Sequence, residues 1–142
     1  AASVLLAELP PPRPRDAALA ERWERLLAVR EAVNKALEDA RQADRIGHSL
    51  DARVRLQASG ELDGLLRGYP ALTDLFITSQ VELAADLGEG AVSPLLPELR
   101  VEIEKARGGK CERCWNYSEA IGSSSDHPGL CQRCQDVMRA AA

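Results

Sequence analysis

Aromatic residues are scarce in this chain. Its 142 residues include only Trp23, Tyr69, Phe76, Trp115 and Tyr117, so a core has to be assembled from Leu, Val, Ile and Ala. No apolar run approaches the roughly 20 residues that span a bilayer. The first residues show no basic start, apolar centre and cleavage site of a secretory signal. These absences predict a soluble, cytoplasmic chain with no membrane partner. There is no glycine-rich phosphate loop, no Ser/His/Asp set with workable spacing and no HExxH sequence, so hydrolysis and nucleotide binding have no visible site. Internal repeats and low-complexity tracts are absent too. By side-chain chemistry alone, this is a binding or structural module.

The net charge of −4 argues mildly against a nucleic-acid partner, but its distribution matters more than its sum. Residues 13–55 carry ten basic and eight acidic side chains, and residues 60–98 carry seven acids against Arg67 alone. Residues 100–139 carry seven bases and six acids. The acidity is therefore concentrated in the middle, and either end can face an anionic partner.

The strongest periodic signal begins after an apolar arm, Ser3 to Leu9, which is closed off by Pro10, Pro11, Pro12 and Pro14. Leu19, Trp23, Leu26, Arg30, Val33, Leu37 and Ala40 recur in steps of four and three, one stripe of a helix over about 16–46. Asp16 is its expected N-cap and Gly47 its expected left-handed terminator. Such a helix is about 45 Å long at 1.5 Å per residue. No later segment is long enough to cover it, which predicts packing partners outside the chain.

Ala52 to Ala58 alternates cleanly and reads as a half-buried strand. Glu61 to Arg67 and Leu72 to Phe76 read as short helices. Ile77 to Ala84 reads as a second strand with Ser79, Val81 and Leu83 on one face. A link bearing Gly88, Gly90, Pro94 and Pro97 follows, and Leu99, Val101 and Ile103 mark a third strand. The fold class is α+β: a long N-terminal helix, a small mixed β-sheet with short helices, and a C-terminal four-cysteine zinc ribbon or finger. The expected units are residues 1–50, 51–107 and 108–142.

Cys111-x2-Cys114 and Cys131-x2-Cys134 carry the chemistry. Two cysteines three apart on a tight turn can aim both thiolates at one point about 2.3 Å away, the Zn–S distance, and two such knuckles close a tetrahedron. With all four positions filled by protein, the metal is structural. Two disulfides would require an oxidising compartment that nothing here suggests. Thioredoxin-type redox chemistry would require a single CxxC opening a helix in a βαβ unit. Iron in a rubredoxin-like site uses the same ligands, and spacing does not separate it from zinc. His127 reads as a loop residue before Pro128, and His48 carries no assigned chemistry.

Four thiolates around Zn²⁺ leave a core of charge −2. Lys110, Arg113 and Arg133 stand beside ligands and can neutralise it. Alternatively they project outward with Trp115 and Tyr117 as a basic and aromatic surface for single-stranded nucleic acid. The residues alone leave both readings open.

The segment Gly109-Lys110-Cys111-Glu112-Arg113-Cys114-Trp115-Asn116-Tyr117, followed by His127-Pro128-Gly129-Leu130-Cys131-Gln132-Arg133-Cys134, resembles the C-terminal zinc region of bacterial isoleucyl-tRNA synthetases. The helix from Trp23 through Val29-Arg30-Glu31-Ala32-Val33-Asn34-Lys35 to Arg41 is similar to the last helix of that family's anticodon-binding bundle. Ile46-Gly47-His48-Ser49-Leu50-Asp51-Ala52 and Ser79-Gln80-Val81-Glu82-Leu83 are similar as well, in the right order.

The resemblance implies a C-terminal fragment of a class I, ATP-using isoleucine–tRNA ligase. The fragment lacks the catalytic domain with its HIGH and KMSKS sequences, is inactive alone, and is monomeric. Its implied partners are isoleucine tRNA, gripped near the anticodon stem-loop, and the remainder of the synthetase. Lys110, Arg113, Trp115 and Arg133 become candidate RNA contacts, and Arg30 is expected to pair with an acid inside the bundle. Two alternatives belong to other classes. One is the DNA-gripping finger of formamidopyrimidine-DNA glycosylases, which needs an N-terminal proline where this chain has Ala1. The other is a zinc-stabilised protein-interaction module.

Overall fold

The computed structural model describes residues 3, 11, 14–88 and 91–140. Apart from Ser3, the expected arm lies outside them, as does Gly90 of the link. Helix α1 spans Ala17–Gln42, and the Asp16 carboxylate accepts a hydrogen bond from the Leu19 amide at 3.0 Å. This satisfies one of the exposed first-turn donors. Gly47 does not end the helix. Asp44 takes the left-handed conformation instead, at φ 53°, while the Ala43 and Arg45 amides close back onto Asp39 and Ala40 carbonyls. Asp tolerates this region better than most side chains, so the helix stops four residues earlier than expected.

A single turn of 3₁₀ helix at Ser49–Asp51 leads into β1, Ala52–Ala58. His48 caps that turn by accepting from the Leu50 amide through Nδ1. Helices α2 (Gly60–Arg67) and α3 (Leu72–Phe76) precede β2, Gln80–Leu83. The second strand starts three residues late because Ile77 is left-handed at φ 56° and ends α3. A two-residue strand β3, Ala91–Val92, lies inside the proline-bearing link, and β4 covers Leu99–Lys105.

The sheet order is β2-β1-β4-β3, with β1 parallel to β2 and antiparallel to β4. Register pairs Val54 with Val81 and Ile103, and Leu56 with Leu83 and Val101. Period-two alternation therefore sends all the apolar positions to one face. That face is covered by Leu26, Val29, Val33, Leu37 and Ala40 of α1, joined by Leu62, Leu66, Leu72 and Phe76. Each fully buried Leu or Val contributes roughly 1.5–3 kcal/mol. The partner of the α1 stripe from Leu26 onward is thus the sheet itself, assembled from strands distant in sequence. Leu19 and Leu27 remain exposed, and Trp23 meets Tyr69 edge-on at 5.9 Å.

The opposite face is an ion-pair array. Arg53 and Arg55 in β1 stand between Glu82 of β2 and Glu102 and Glu104 of β4: Arg53 pairs with Glu82 and with Glu104, and Arg55 reaches Glu102 at 2.7 Å. Arg30 forms no ion pair among the described residues, and its Nε is enclosed without a partner; the bundle acid expected to pair with it would lie outside this chain.

Candidate metal centre

After β4 the chain turns through Gly108 into a two-stranded ribbon, β5 (Gly109–Lys110) and β6 (Tyr117–Ser118). Gly108 has φ 87°, and a Cβ there would stand 2.3 Å from the Ser118 carbonyl oxygen. Only glycine permits that approach. The ribbon presents Cys111-Glu112-Arg113-Cys114 as a tight turn in which the Trp115 amide donates to the Cys111 carbonyl at 2.9 Å. The second knuckle is built differently. Cys131 immediately precedes helix α4, Gln132–Ala140, and Cys134 lies within its first turn. Sequence reading missed this helix, because its exposed Val137 and Met138 make no apolar stripe.

The four sulfurs converge, all lying within 4.8 Å of one another, with Cys111, Cys131 and Cys134 buried. Cys114 Sγ and Cys131 Sγ are 3.6 Å apart. A disulfide requires about 2.05 Å, whereas the edge of a tetrahedron with 2.3 Å Zn–S bonds is about 3.8 Å. The cysteines are free, and the spacing fits four thiolates around one ion.

Their ionisation points the same way. Burial is the largest influence on Cys111 and opposes its thiolate, but amides of Cys114, Cys131 and Arg113 outweigh it and bring the thiol down to about 6. Burial, helped by neighbouring sulfurs, pushes Cys114 up to about 12, and burial raises Cys131 as well. Four thiolates cannot coexist in that volume by themselves. A divalent cation removes the conflict by supplying the opposite charge.

The Cys131 amide donates to Cys111 Sγ at 3.4 Å, and Arg113 donates to Cys134 Sγ at 3.7 Å. Arg113 thus plays the neutralising role expected beside a −2 core. Lys110 lies instead between two rings, with Nζ 5.9 Å from the Trp115 centroid and 6.0 Å from that of Tyr117. Arg133 is exposed and only 3.9 Å from Asp74. His127 is an exposed loop residue outside the sulfur cluster. Trp115 is left-handed at φ 65° and 61% exposed, so it is not part of the finger's core, and its ring meets the ribbon through the Lys110 ammonium.

Residues 108–137 match the family described as "Zinc finger found in FPG and IleRS". The donor set and the family agree on one structural zinc ion. Over most of its length the chain is similar to isoleucine–tRNA ligases. It is 55% identical to the ligase of Syntrophotalea carbinolica over 126 residues, covering 87% of this chain and 14% of that protein. Identity to the Geobacter sulfurreducens ligase is 46% over 141 residues, covering 96% and 15%. Identity to the Desulfitobacterium hafniense ligase is 43% over 137 residues, covering 92% and 15%. The chain therefore spans about one seventh of the length of these relatives. The glycosylase alternative is not favoured, since these whole-chain relatives are all ligases. By its finger and by the segments before it, this chain belongs to the isoleucine–tRNA ligase family, as the counterpart of a C-terminal part of those enzymes.

Proposed function

We propose that this chain is the zinc-bearing C-terminal part of an isoleucine–tRNA ligase that attaches isoleucine to its tRNA with ATP. Cys111, Cys114, Cys131 and Cys134 are the zinc ligands, and the finger grips tRNA near the anticodon stem-loop. Residues 1–50 end the anticodon-binding helical part, residues 51–107 form the α/β unit on which α1 lies, and residues 108–142 form the finger. The chain performs no chemistry by itself. It contributes binding energy and register to an enzyme whose reaction takes place elsewhere, in the cytoplasm.

The observation that carries the reading is the conformation of Trp115. A bulky residue with positive φ is an outlier that costs roughly 1–2 kcal/mol, and here little burial compensates, because the residue is 61% exposed. Strain kept without a packing return suggests use of the ring, and an exposed indole beside an ammonium suits an unpaired base and its phosphate. The cations divide accordingly. Arg53, Arg55 and Arg67 are matched to carboxylates. Lys105, Arg107 and Lys110 are exposed and form no ion pair among the described residues, while the exposed Arg113 turns to Cys134 Sγ.

The test is the affinity of the full-length ligase for isoleucine tRNA across a salt series. Trp115→Ala should weaken binding about tenfold, as expected for one stacked base, with zinc content unchanged. Lys110→Ala should reduce the salt slope by about 0.7–0.9 for one lost phosphate contact. Wild-type affinity and slope in both variants would refute the RNA role and leave a protein-interaction module.

A further inference from the structure

The finger and the sheet have separate cores. One cluster runs from Leu26 to Ile103, the other holds Cys111, Cys131 and Cys134 with Ile121 and Leu130, and they share no residue. Apolar packing therefore does not fix the angle between them. The Arg133–Asp74 pair does not fix it either, being 3.9 Å long with both side chains at least 70% exposed, a class of contact that contributes little.

Two adjacent side chains of the sheet do reach across. Ser79 Oγ donates to the Leu50 carbonyl at 2.6 Å and accepts from the Tyr117 amide at 2.7 Å. The Gln80 carboxamide donates to the Arg107 carbonyl at 2.9 Å and accepts from the Arg107 amide at 2.9 Å. Arg107 lies just before β5 and Tyr117 opens β6, so the two anchors flank the Cys111–Cys114 knuckle. One anchor leaves a swivel; two on opposite sides of the knuckle remove it. The approach to the clamp is itself constrained. Ile77, β-branched, left-handed and 55% exposed, adopts a conformation such side chains rarely take, and it turns the chain so that Thr78 is buried and Ser79 faces the finger.

We propose that Ser79 and Gln80 are positioning residues that clamp the zinc finger at one angle on the sheet, holding Arg107, Lys110 and Trp115 in place for RNA. The angular claim stands on the hydrogen bonds alone, and its consequence for binding rests on the tRNA reading above.

The zinc-loaded chain tests the angle through residual dipolar couplings of its amides. In the wild type, sheet and finger should fit one alignment tensor. In the double variant Ser79→Ala/Gln80→Ala they should need two, with zinc per chain unchanged, while Ser79→Thr, which keeps the hydroxyl, should retain one. A single tensor in the double variant overturns the clamp. In the full-length ligase the double variant should raise the KM for tRNA about fivefold at unchanged kcat, about the effect of one net hydrogen bond on a bound geometry. If the tensors part but this KM stays at the wild-type value while Trp115→Ala still raises it, the positioning role is overturned. If Trp115→Ala is equally silent, the RNA reading fails and takes the functional half of the proposal with it.

Discussion

Removing the metal should unfold one part of this molecule and spare the other. Among the described residues, the only non-cysteine apolar side chains packed into the finger's core are Ile121 and Leu130, both partly buried. Even complete burial would yield about 3–6 kcal/mol for the pair. The ribbon adds two two-residue strands, far too short to be stable alone, and α4 has nine residues, below the length at which isolated helices persist. Zinc binding to such peptides has an apparent energy of about 10–16 kcal/mol at neutral pH, so the ion outweighs every other contribution in the segment. The sheet and α1 owe it nothing, since their core holds no metal ligand. In an ¹H–¹⁵N correlation spectrum, a strong chelator should collapse the amides of residues 108–138 toward random-coil shifts. Those of β1, β4 and α1 should stay dispersed. Retained dispersion across the finger with no metal bound would refute this reasoning.

Further outcomes follow from individual residues. Because the finger unfolds without its metal, zinc has to displace protons from cysteine thiols, which are ordinarily protonated at neutral pH. Apparent affinity measured by chelator competition should therefore rise steeply, by at least about a hundredfold, between pH 7 and 8, and a flat profile would contradict thiolate ligation. Leu56→Ala, at a fully buried position in the middle of β1, should cost about 2–5 kcal/mol in denaturant unfolding while zinc per chain stays unchanged, because the two cores are separate. Gly108→Ala should do the reverse. Its Cβ would collide with the Ser118 and Glu119 backbone at a φ of 87°, costing about 3 kcal/mol from overpacking and strain, read as weakened zinc affinity with the sheet's unfolding midpoint retained.

Much of this architecture is legible in the sequence because it rests on local periodicity. Alternation locates β1 to the residue and the start of β4, since each buries one face only. Asp16 is legible as a cap because its role requires only the amides that follow it. What escapes depends on contacts between distant segments. The cover of α1 is a surface that exists only once β1 and β4 pair, so a search for one long helical partner misses it, although a helix laid across a small mixed sheet is the arrangement that buries all these apolar faces together. The Asp44 terminator displaces Gly47 because left-handed geometry at a helix end is chosen by local fit as well as by composition. Strand β3 is two residues in a proline-bearing link, held by pairing with Val101 and Arg100. At the metal centre the four cysteines are readable from spacing, but the division of labour around them is not. That Arg113 turns to a sulfur while Lys110 lies between two rings depends on the knuckle's three-dimensional turn. The clamp of Ser79 and Gln80 is equally invisible, joining backbone atoms 27 and 38 residues away.

X-ray absorption at the zinc edge, with metal analysis of the same sample, tests the centre most directly. The account predicts one zinc per chain and a first shell of four sulfurs at about 2.3 Å, falling below four when Cys114 is replaced by Ser. A well-ordered chain without stoichiometric metal, or a shell containing nitrogen from His127, would contradict it.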